Sequence, residues 1–155
     1  MTIRLALFQP DIPQNTGTIL RLASCLGLAV DIVRPAGFDI SDKALRRAMM
    51  DYGEGLEVVR HDSWSVFFEA LTKKPGTRLI ALTTQATLPY TSFAYQAGDV
   101  LLLGRETLGL PENVHSACDA RVTIPMVTGR RSLNVAVAAA MVTGEALRQV
   151  GTTLL

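Results

Sequence analysis

Short apolar runs alternate along this chain with segments in which apolar residues recur at every third or fourth position. Several of the runs are continuous rather than alternating, which is typical of strands covered on both faces in a parallel sheet. The pattern predicts strands at residues 3–8, 29–33, 56–59, 78–82, 100–103 and 121–124.

The segments between these runs have the periodicity of amphipathic helices. Residues 15–26 place four apolar side chains on one face, at the spacing i, i+3, i+4 and i+7. Further helices are predicted at residues 41–50, from Ser63 onward, and at residues 133–150. Regular alternation of strands and helices, with no linker, repeat or low-complexity segment, predicts one α/β domain over residues 1–155 with a parallel sheet.

Composition narrows the class of protein. Of the 155 residues, 48% are hydrophobic and 19% are charged, as in a folded globular protein. No apolar run approaches the roughly 18 residues that cross a bilayer, and the N-terminus has neither the basic region nor the cleavage site of a signal peptide. The cysteines and histidines lack metal-site spacing. We therefore expect a cytoplasmic protein with no membrane partner and no metal ion.

The net charge of +1 does not by itself indicate a nucleic-acid partner, since such domains usually carry a marked basic excess. Basic residues are nevertheless clustered. Lys43, Arg46 and Arg47 lie in one predicted helix, and Arg130 and Arg131 lie in the last long loop. An ordinary solvated surface is the alternative interpretation of such clusters.

The loop after the fifth predicted strand contains Gly104 and Gly109, at the outer spacing of a phosphate-binding loop. Leu110 and Pro111 stand where the lysine and the hydroxyl residue of such a loop should follow. The loop also carries Glu106, whose carboxylate would repel a phosphate. ATP and GTP are therefore poor candidates, whereas S-adenosylmethionine, which has a positive sulfonium group and no phosphate, fits better.

Two other loops follow strands at their carboxyl ends, where open parallel sheets bind ligands. Asn15 is placed to N-cap the helix that bears Arg21, and Ser132 is placed to cap the terminal helix. Asn134 would then lie in the first turn of that helix, where asparagine is unfavourable because it competes for backbone hydrogen bonds. Capping thus accounts for Asn15 and Ser132 more readily than for Arg21 and Asn134.

Three segments, taken together, resemble the three motifs of the SPOUT superfamily of RNA methyltransferases, in its SpoU class. The pattern is most similar to that of the small tRNA ribose 2′-O-methyltransferases that act on the wobble nucleotide. The motif segments are residues 15–21, residues 103–111, and residues 124–126 with 132–134. Further similarity lies at residues 42–47, 51–52 and 81–84.

The resemblance implies an α/β knot, in which the C-terminal segment threads through a loop, although knots are exceptions to the usual topology rules. It also implies a homodimer in which the partner chain completes each active site. Arg21 matches the family's catalytic arginine, and the polar residues expected around it are Asn15, Glu106, Ser132 and Asn134. The residues that match the S-adenosylmethionine pocket are Leu82, Gly104, Glu106, Ile124, Met126, Ser132 and Leu133. The expected tRNA contacts are Lys43, Arg46 and Arg47.

The implied reaction moves a methyl group from S-adenosylmethionine to the ribose 2′-hydroxyl of nucleotide 34 of tRNA, a cytidine or a modified uridine, and releases S-adenosylhomocysteine. The family resemblance suggests leucine isoacceptors as the tRNA partners. Two alternatives remain open. One is a 2′-O-methyltransferase for another tRNA position or for rRNA, and the other is a non-catalytic module that binds RNA or a nucleotide.

Two positions depart from the family's pattern. Ala136 stands where many relatives have a serine, which removes one hydroxyl near the expected site. Arg105 stands where a proline or another small residue is common. Both departures bear on the details of substrate recognition.

Overall fold

The computed structural model describes residues 2–49 and 55–151, and within these ranges six strands and five α-helices alternate. The strands are β1 (Arg4–Phe8), β2 (Val30–Val33), β3 (Val58–His61), β4 (Leu79–Leu82), β5 (Val100–Leu103) and β6 (Ala120–Val122). The helices are α1 (Pro13–Leu26), α2 (Asp42–Met49), α3 (Trp64–Thr72), α4 (Glu112–Ala117) and α5 (Val135–Val150), and a short 3-10 helix lies at Tyr90–Ser92.

The strands form one sheet in the order β3-β2-β1-β5-β4-β6, and every neighbouring pair is parallel. The chain runs outward from β1 to β3 and then returns to the other side of β1. The boundary between β1 and β5 is therefore a switch point, at which the loops after two adjacent strands turn in opposite directions and leave a crevice. The predicted parallel α/β sheet is confirmed.

Apolar side chains from the two faces of the sheet form two cores. One face packs against α1, α2 and α5, with Ile19, Leu45 and Val142 buried there. The other face packs against α3 and α4 through Phe67 and Val114. Coverage of both faces explains why the central strands are continuous apolar runs. No helix among the described residues is long and apolar enough to span a bilayer.

Several predicted boundaries are wrong. Helix α1 begins at Pro13, with Ile12 as N-cap, so Asn15 lies inside the first turn and does not cap the helix. Proline suits that position because its missing N–H would have no helical partner. Helix α5 is capped by Asn134 rather than by Ser132. Helix α2 ends at Met49 in the described residues, whereas the predicted end at residue 50 and the similarity at 51–52 lie outside them.

Two strands are also shifted, and two elements were not predicted. Strand β3 occupies 58–61 rather than 56–59, and β6 occupies 120–122 rather than 121–124. Helix α4 and the 3-10 helix gave no signal, because neither is long enough to show an apolar period. The predicted cap of α3 is confirmed, since the Ser63 hydroxyl accepts a hydrogen bond from the Val66 N–H.

Candidate active site

A cavity of about 490 Å³ opens at the carboxyl ends of β4, β5 and β6. Its walls come from the loops after these three strands and from the start of α1. All seven residues expected to hold the cofactor line this cavity: Leu82, Gly104, Glu106, Ile124, Met126, Ser132 and Leu133. Asn15 and Asn134 line it as well. The structure thus brings the three motif segments together at one place.

The loop after β5 closes on itself between Arg105 and Gly109. The Gly109 N–H donates to the Arg105 carbonyl at 2.9 Å, and Gly109 has φ +65°, a left-handed conformation that favours glycine. A Cβ at Gly104 would lie 3.0 Å from the Gly109 carbonyl carbon, so both glycines are needed for the tight turn. The Arg105 side chain completes the closure by donating Nε–H to the Gly109 carbonyl at 3.1 Å while its guanidinium lies over the Phe8 ring. The arginine that departs from the family's pattern therefore stabilises the loop itself.

Glu106 is held at the mouth of the cavity by Asp11, on the loop after β1. The Asp11 backbone N–H donates to Glu106 Oε2 at 2.9 Å, and the Glu106 N–H donates to Asp11 Oδ1 at 3.3 Å. Burial of Glu106 and its hydrogen bond with the Asp11 carboxyl raise the pKa of Glu106. The same hydrogen bond lowers the pKa of Asp11. A carboxyl with a raised pKa in a cleft is a frequent feature of functional sites.

Asn134 joins the loop after β6 to both α5 and α1. Its Oδ1 accepts from the Ala136 N–H at 2.9 Å and from the Val137 N–H at 3.3 Å, which caps α5. Its amide Nδ2 donates to Asn15 Oδ1 at 2.9 Å. The Ala136 side chain is buried in this first turn. The unfavourable interior asparagine of the sequence interpretation is thus a cap, and its two contacts tie α1 and α5 together beside the cavity.

Replacing Asn134 with alanine is expected to lower the free energy of unfolding by about 1 kcal/mol, because the α5 N-cap is lost. For a domain of this length, that corresponds to a fall of roughly 2–4 °C in melting temperature. Asn134→Asp is the matched control: its carboxylate can still cap α5 but has no N–H for Asn15. Thermal denaturation should leave the aspartate variant near wild type, and an equal loss in both variants would contradict capping as the source of stability.

The structure places Arg21 and the basic residues of α2 away from the cavity lining, whereas Arg131, from the second basic cluster, lines the cavity. Arg21 is exposed on α1, two turns beyond Asn15. Lys43 and Arg47 are exposed on α2, and Arg46 lies on the same helix, its side chain outside the described part of the structure. Within one chain, the cavity is therefore separate from Arg21 and from the basic residues of α2.

Asp11, Thr83 and His115 belong to the site region and were not predicted from the sequence. His115, on α4, is buried, and its Nε2 lies 3.3 Å from Thr83 Oγ1. Both residues line the cavity. The sequence gave no signal for His115, because α4 itself was not predicted. Among the described residues, no cluster of three or more His, Cys, Asp or Glu side chains could hold a metal ion.

Comparison with known proteins agrees with this arrangement. The model of the SpoU rRNA methylase family matches residues 2–144. The chain belongs to the SpoU methylase family. This match confirms the resemblance that the three motif segments carry.

Individual relatives of this SpoU methylase are similar over nearly their whole length. A tRNA (cytidine(34)-2′-O)-methyltransferase of Beijerinckia indica is 56% identical over 147 residues, which are 95% of this chain and 91% of the relative. A solved structure described as giving insight into 2-OH methylation of C/U34 on tRNA superposes with a TM-score of 0.87. The two sequences are 39% identical, and the superposition covers 96% of this chain and 95% of the chain in that structure. The SpoU methyltransferase AviRb of Streptomyces viridochromogenes, in complex with AdoMet, has a TM-score of 0.86 at 27% identity, covering 96% of this chain and 60% of its own.

Proposed function

We propose that this chain transfers a methyl group from S-adenosylmethionine to the ribose 2′-hydroxyl of nucleotide 34 of tRNA. The observation that carries the proposal is the convergence of three separate motif loops on one cavity. Relatives that match this chain over nearly its whole length are named tRNA (cytidine(34)-2′-O)-methyltransferases. We propose either cytidine or uridine as the base of nucleotide 34, because the related solved structure concerns methylation of C/U34.

The side chains around the cavity suit S-adenosylmethionine. Leu82, Leu103, Ile124 and Met126 provide apolar surface for the adenine ring. Glu106 is an acidic group at the mouth, favourable for the positive ammonium and sulfonium groups and unfavourable for a phosphate. We assign the binding of the cofactor to these residues together with Gly104, Ser132 and Leu133. When bound, the cofactor supplies an electrophilic methyl group on sulfur and leaves as S-adenosylhomocysteine.

The chain's own residues must orient the ribose and stabilise charge on its 2′-oxygen. Arg21 is suited to grip the phosphate next to the target nucleotide, because a guanidinium binds phosphate through two parallel N–H donors. The same group stabilises negative charge that develops on the ribose oxygen. Since a guanidinium stays charged in proteins, we assign Arg21 to electrostatic stabilisation rather than to proton abstraction. Asn15, Ser132 and Asn134 surround the reacting groups with polar donors and acceptors.

A homodimer would bring Arg21 to the cavity of the partner chain. Helix α5 carries exposed apolar side chains at one helical spacing, Val137 at 51% and Met141 at 39%, and Leu133 just before the helix is 40% exposed. A stripe of this kind is typical of a protein–protein interface. Helix α5 packs against α1, which presents Arg21 on its exposed side. A two-fold interface over these helices would explain how a residue outside the cavity lining takes part in catalysis.

The path of the chain after β6 supports the α/β knot. The segment that follows β6 is tied to the loop after β4, since the Thr123 N–H donates to the Leu88 carbonyl and the Tyr90 N–H donates to the Thr123 carbonyl. The chain then returns from the sheet edge to α5, on the face covered by α1. We assign this return to passage through the loop after β4.

The tRNA is assigned to the side of the molecule that carries α2. Lys43 and Arg47 are exposed there, and Arg46 lies between them in the sequence. Cationic side chains on one helix contact phosphates without regard to base sequence. We further propose leucine isoacceptors as substrates and the cytoplasm as the location, in keeping with the family resemblance. Binding should weaken steeply as salt concentration rises, because counterions compete for the phosphates.

The decisive experiment is transfer of a radiolabelled methyl group from S-adenosylmethionine to bulk tRNA, with ribosomal RNA assayed in parallel. Nuclease mapping should place the label on nucleotide 34, and alkali resistance of the adjoining phosphodiester should show 2′-O-methylation. Label at another tRNA position or in rRNA would support the alternative specificity. Cofactor binding without transfer to any RNA would support a non-catalytic binding module.

A further inference from the structure

Asp11 lies at the switch point of the sheet, on the loop between β1 and α1 and outside the lining of the cofactor cavity. The residue is 95 positions from Glu106 in sequence. The two meet because β1 and β5 are neighbours and their loops leave the sheet side by side. Every contact between them therefore connects the loop after β1, just before the first motif segment, with the second motif segment.

The Asp11 carboxylate binds two successive residues of the loop after β5. Oδ1 accepts the Glu106 N–H at 3.3 Å, and Oδ2 accepts the Thr107 hydroxyl. In return, Glu106 Oε2 accepts the Asp11 backbone N–H at 2.9 Å. These three hydrogen bonds fix both the backbone of Glu106 and the direction of its carboxyl group. Arg105 and Gly109 close the far side of the same loop, and Asp11 anchors that loop to the loop after β1.

Asp11 is itself held in place by the loop after β2. The Gly37 N–H donates to the Pro10 carbonyl at 2.9 Å. A Cβ built on Gly37 would lie 3.0 Å from both Cα and Cβ of Asp11, so the two backbones are in close contact. Gln9 begins the loop in a left-handed conformation, with φ +44°, which a non-glycine residue adopts only when its surroundings enforce it. The carboxylate of Asp11 thus projects from a rigid support.

We propose that Asp11 is a positioning residue that orients the Glu106 carboxyl toward the positive groups of S-adenosylmethionine. The proposal rests on the proposed function, because it assigns Glu106 to that cofactor. In this role Asp11 contacts neither the cofactor nor the RNA, and it acts through Glu106. At metal sites, loss of a hydrogen-bond partner that orients a ligand typically costs about 10- to 100-fold in affinity, and we expect a partner that orients a cofactor-binding carboxyl to act in the same way.

The test measures the dissociation constant of S-adenosylmethionine for the full chain by isothermal titration calorimetry, without RNA. Asp11→Asn keeps the volume of the side chain and its backbone N–H but removes one acceptor and the charge. We expect Asp11→Asn and Glu106→Gln each to raise the dissociation constant about tenfold, the effect of losing one hydrogen bond to a charged group. The double variant should bind no more than about twofold more weakly than Glu106→Gln alone, because the two residues act as one unit.

Asp62→Asn is the matched control, since that aspartate is 90% exposed and lies far from the cavity lining. The control should bind S-adenosylmethionine as the wild type does. A lower melting temperature for Asp11→Asn with unchanged affinity would show a purely structural role and overturn the proposal. Additive losses in the double variant, about a hundredfold in total, would overturn it as well.

The same experiment separates this proposal from the proposed function. A wild-type chain that binds S-adenosylmethionine but methylates no RNA would contradict the proposed function. The coupling between Asp11 and Glu106 would still be tested, because calorimetry measures it without RNA. A wild-type chain that does not bind S-adenosylmethionine would overturn both.

Discussion

Replacing Arg21 with lysine is expected to lower the rate of methyl transfer to tRNA by about a hundredfold. Lysine keeps the positive charge but loses the planar fork of donors that holds a phosphate through two hydrogen bonds. Removing one donor that stabilises an oxyanion typically costs a factor of about 10²–10³ in rate. Single-turnover transfer from radiolabelled S-adenosylmethionine, with enzyme in excess over tRNA, measures this step.

The position of Arg21 also predicts what should not change. Because Arg21 does not line the cavity of its own chain, Arg21→Lys should bind S-adenosylmethionine within about twofold of the wild type. Arg34→Lys serves as control, since Arg34 is a half-exposed arginine that pairs with Asp62 and lies outside both the cavity lining and the exposed stripe of α5. Near-full activity of Arg21→Lys would contradict a specific role for the guanidinium. It would show that the positive charge at this position is sufficient.

The sheet could be predicted from sequence because its strands are buried on both faces. Continuous apolar runs such as residues 78–82 and 100–103 match β4 and β5 to within one residue. The order of the strands could not be predicted in this way, because periodicity carries no information on which strands pair. The edge strands β3 and β6 have partly exposed residues, so the apolar pattern locates them less accurately.

Helix starts were harder to predict because several residues can satisfy the same end. At α5, both Ser132 and Asn134 are favoured N-cap types, and the structure uses Asn134. At α1, a cap was predicted although Pro13 begins the helix without any side-chain cap. In each case the helix boundary is set by a residue two positions from the predicted cap. Short-range sequence preferences do not distinguish the two positions.

The residues of the cavity were predicted by resemblance to a family and not by spacing. Leu82 ends β4, whereas Gly104 and Ile124 lie in the loops after β5 and β6, and no periodicity relates the three. The contact of Asp11 with Glu106 also lies beyond sequence reasoning, because it depends on the adjacency of β1 and β5. Two acidic residues are not expected to lie in contact from their residue types, because their carboxylates repel each other.

A mixture of two inactive variants should regain activity if each site is shared between two chains. Arg21→Ala lacks the arginine that we propose to be catalytic, and Gly104→Val fills the turn beside Gly109, where even a Cβ would lie 3.0 Å from the backbone. In a mixed dimer, the intact cavity of the Arg21→Ala chain faces the intact Arg21 of the Gly104→Val chain. Random pairing of equal amounts makes half of the dimers mixed with one working site each, so about a quarter of wild-type activity is expected.

The mixture must be formed by co-expression or by unfolding and refolding together, and native mass spectrometry should verify the mixed dimer. Val137→Asp in both chains is the control, because a charge in the exposed apolar stripe of α5 should keep the chains monomeric and prevent recovery. If verified mixed dimers transferred no methyl group, Arg21 would have to serve the cavity of its own chain. Since Arg21 lies outside the lining of that cavity, such a result would require α1 to move when tRNA binds. The dimer would then serve to bind RNA and not to complete the site.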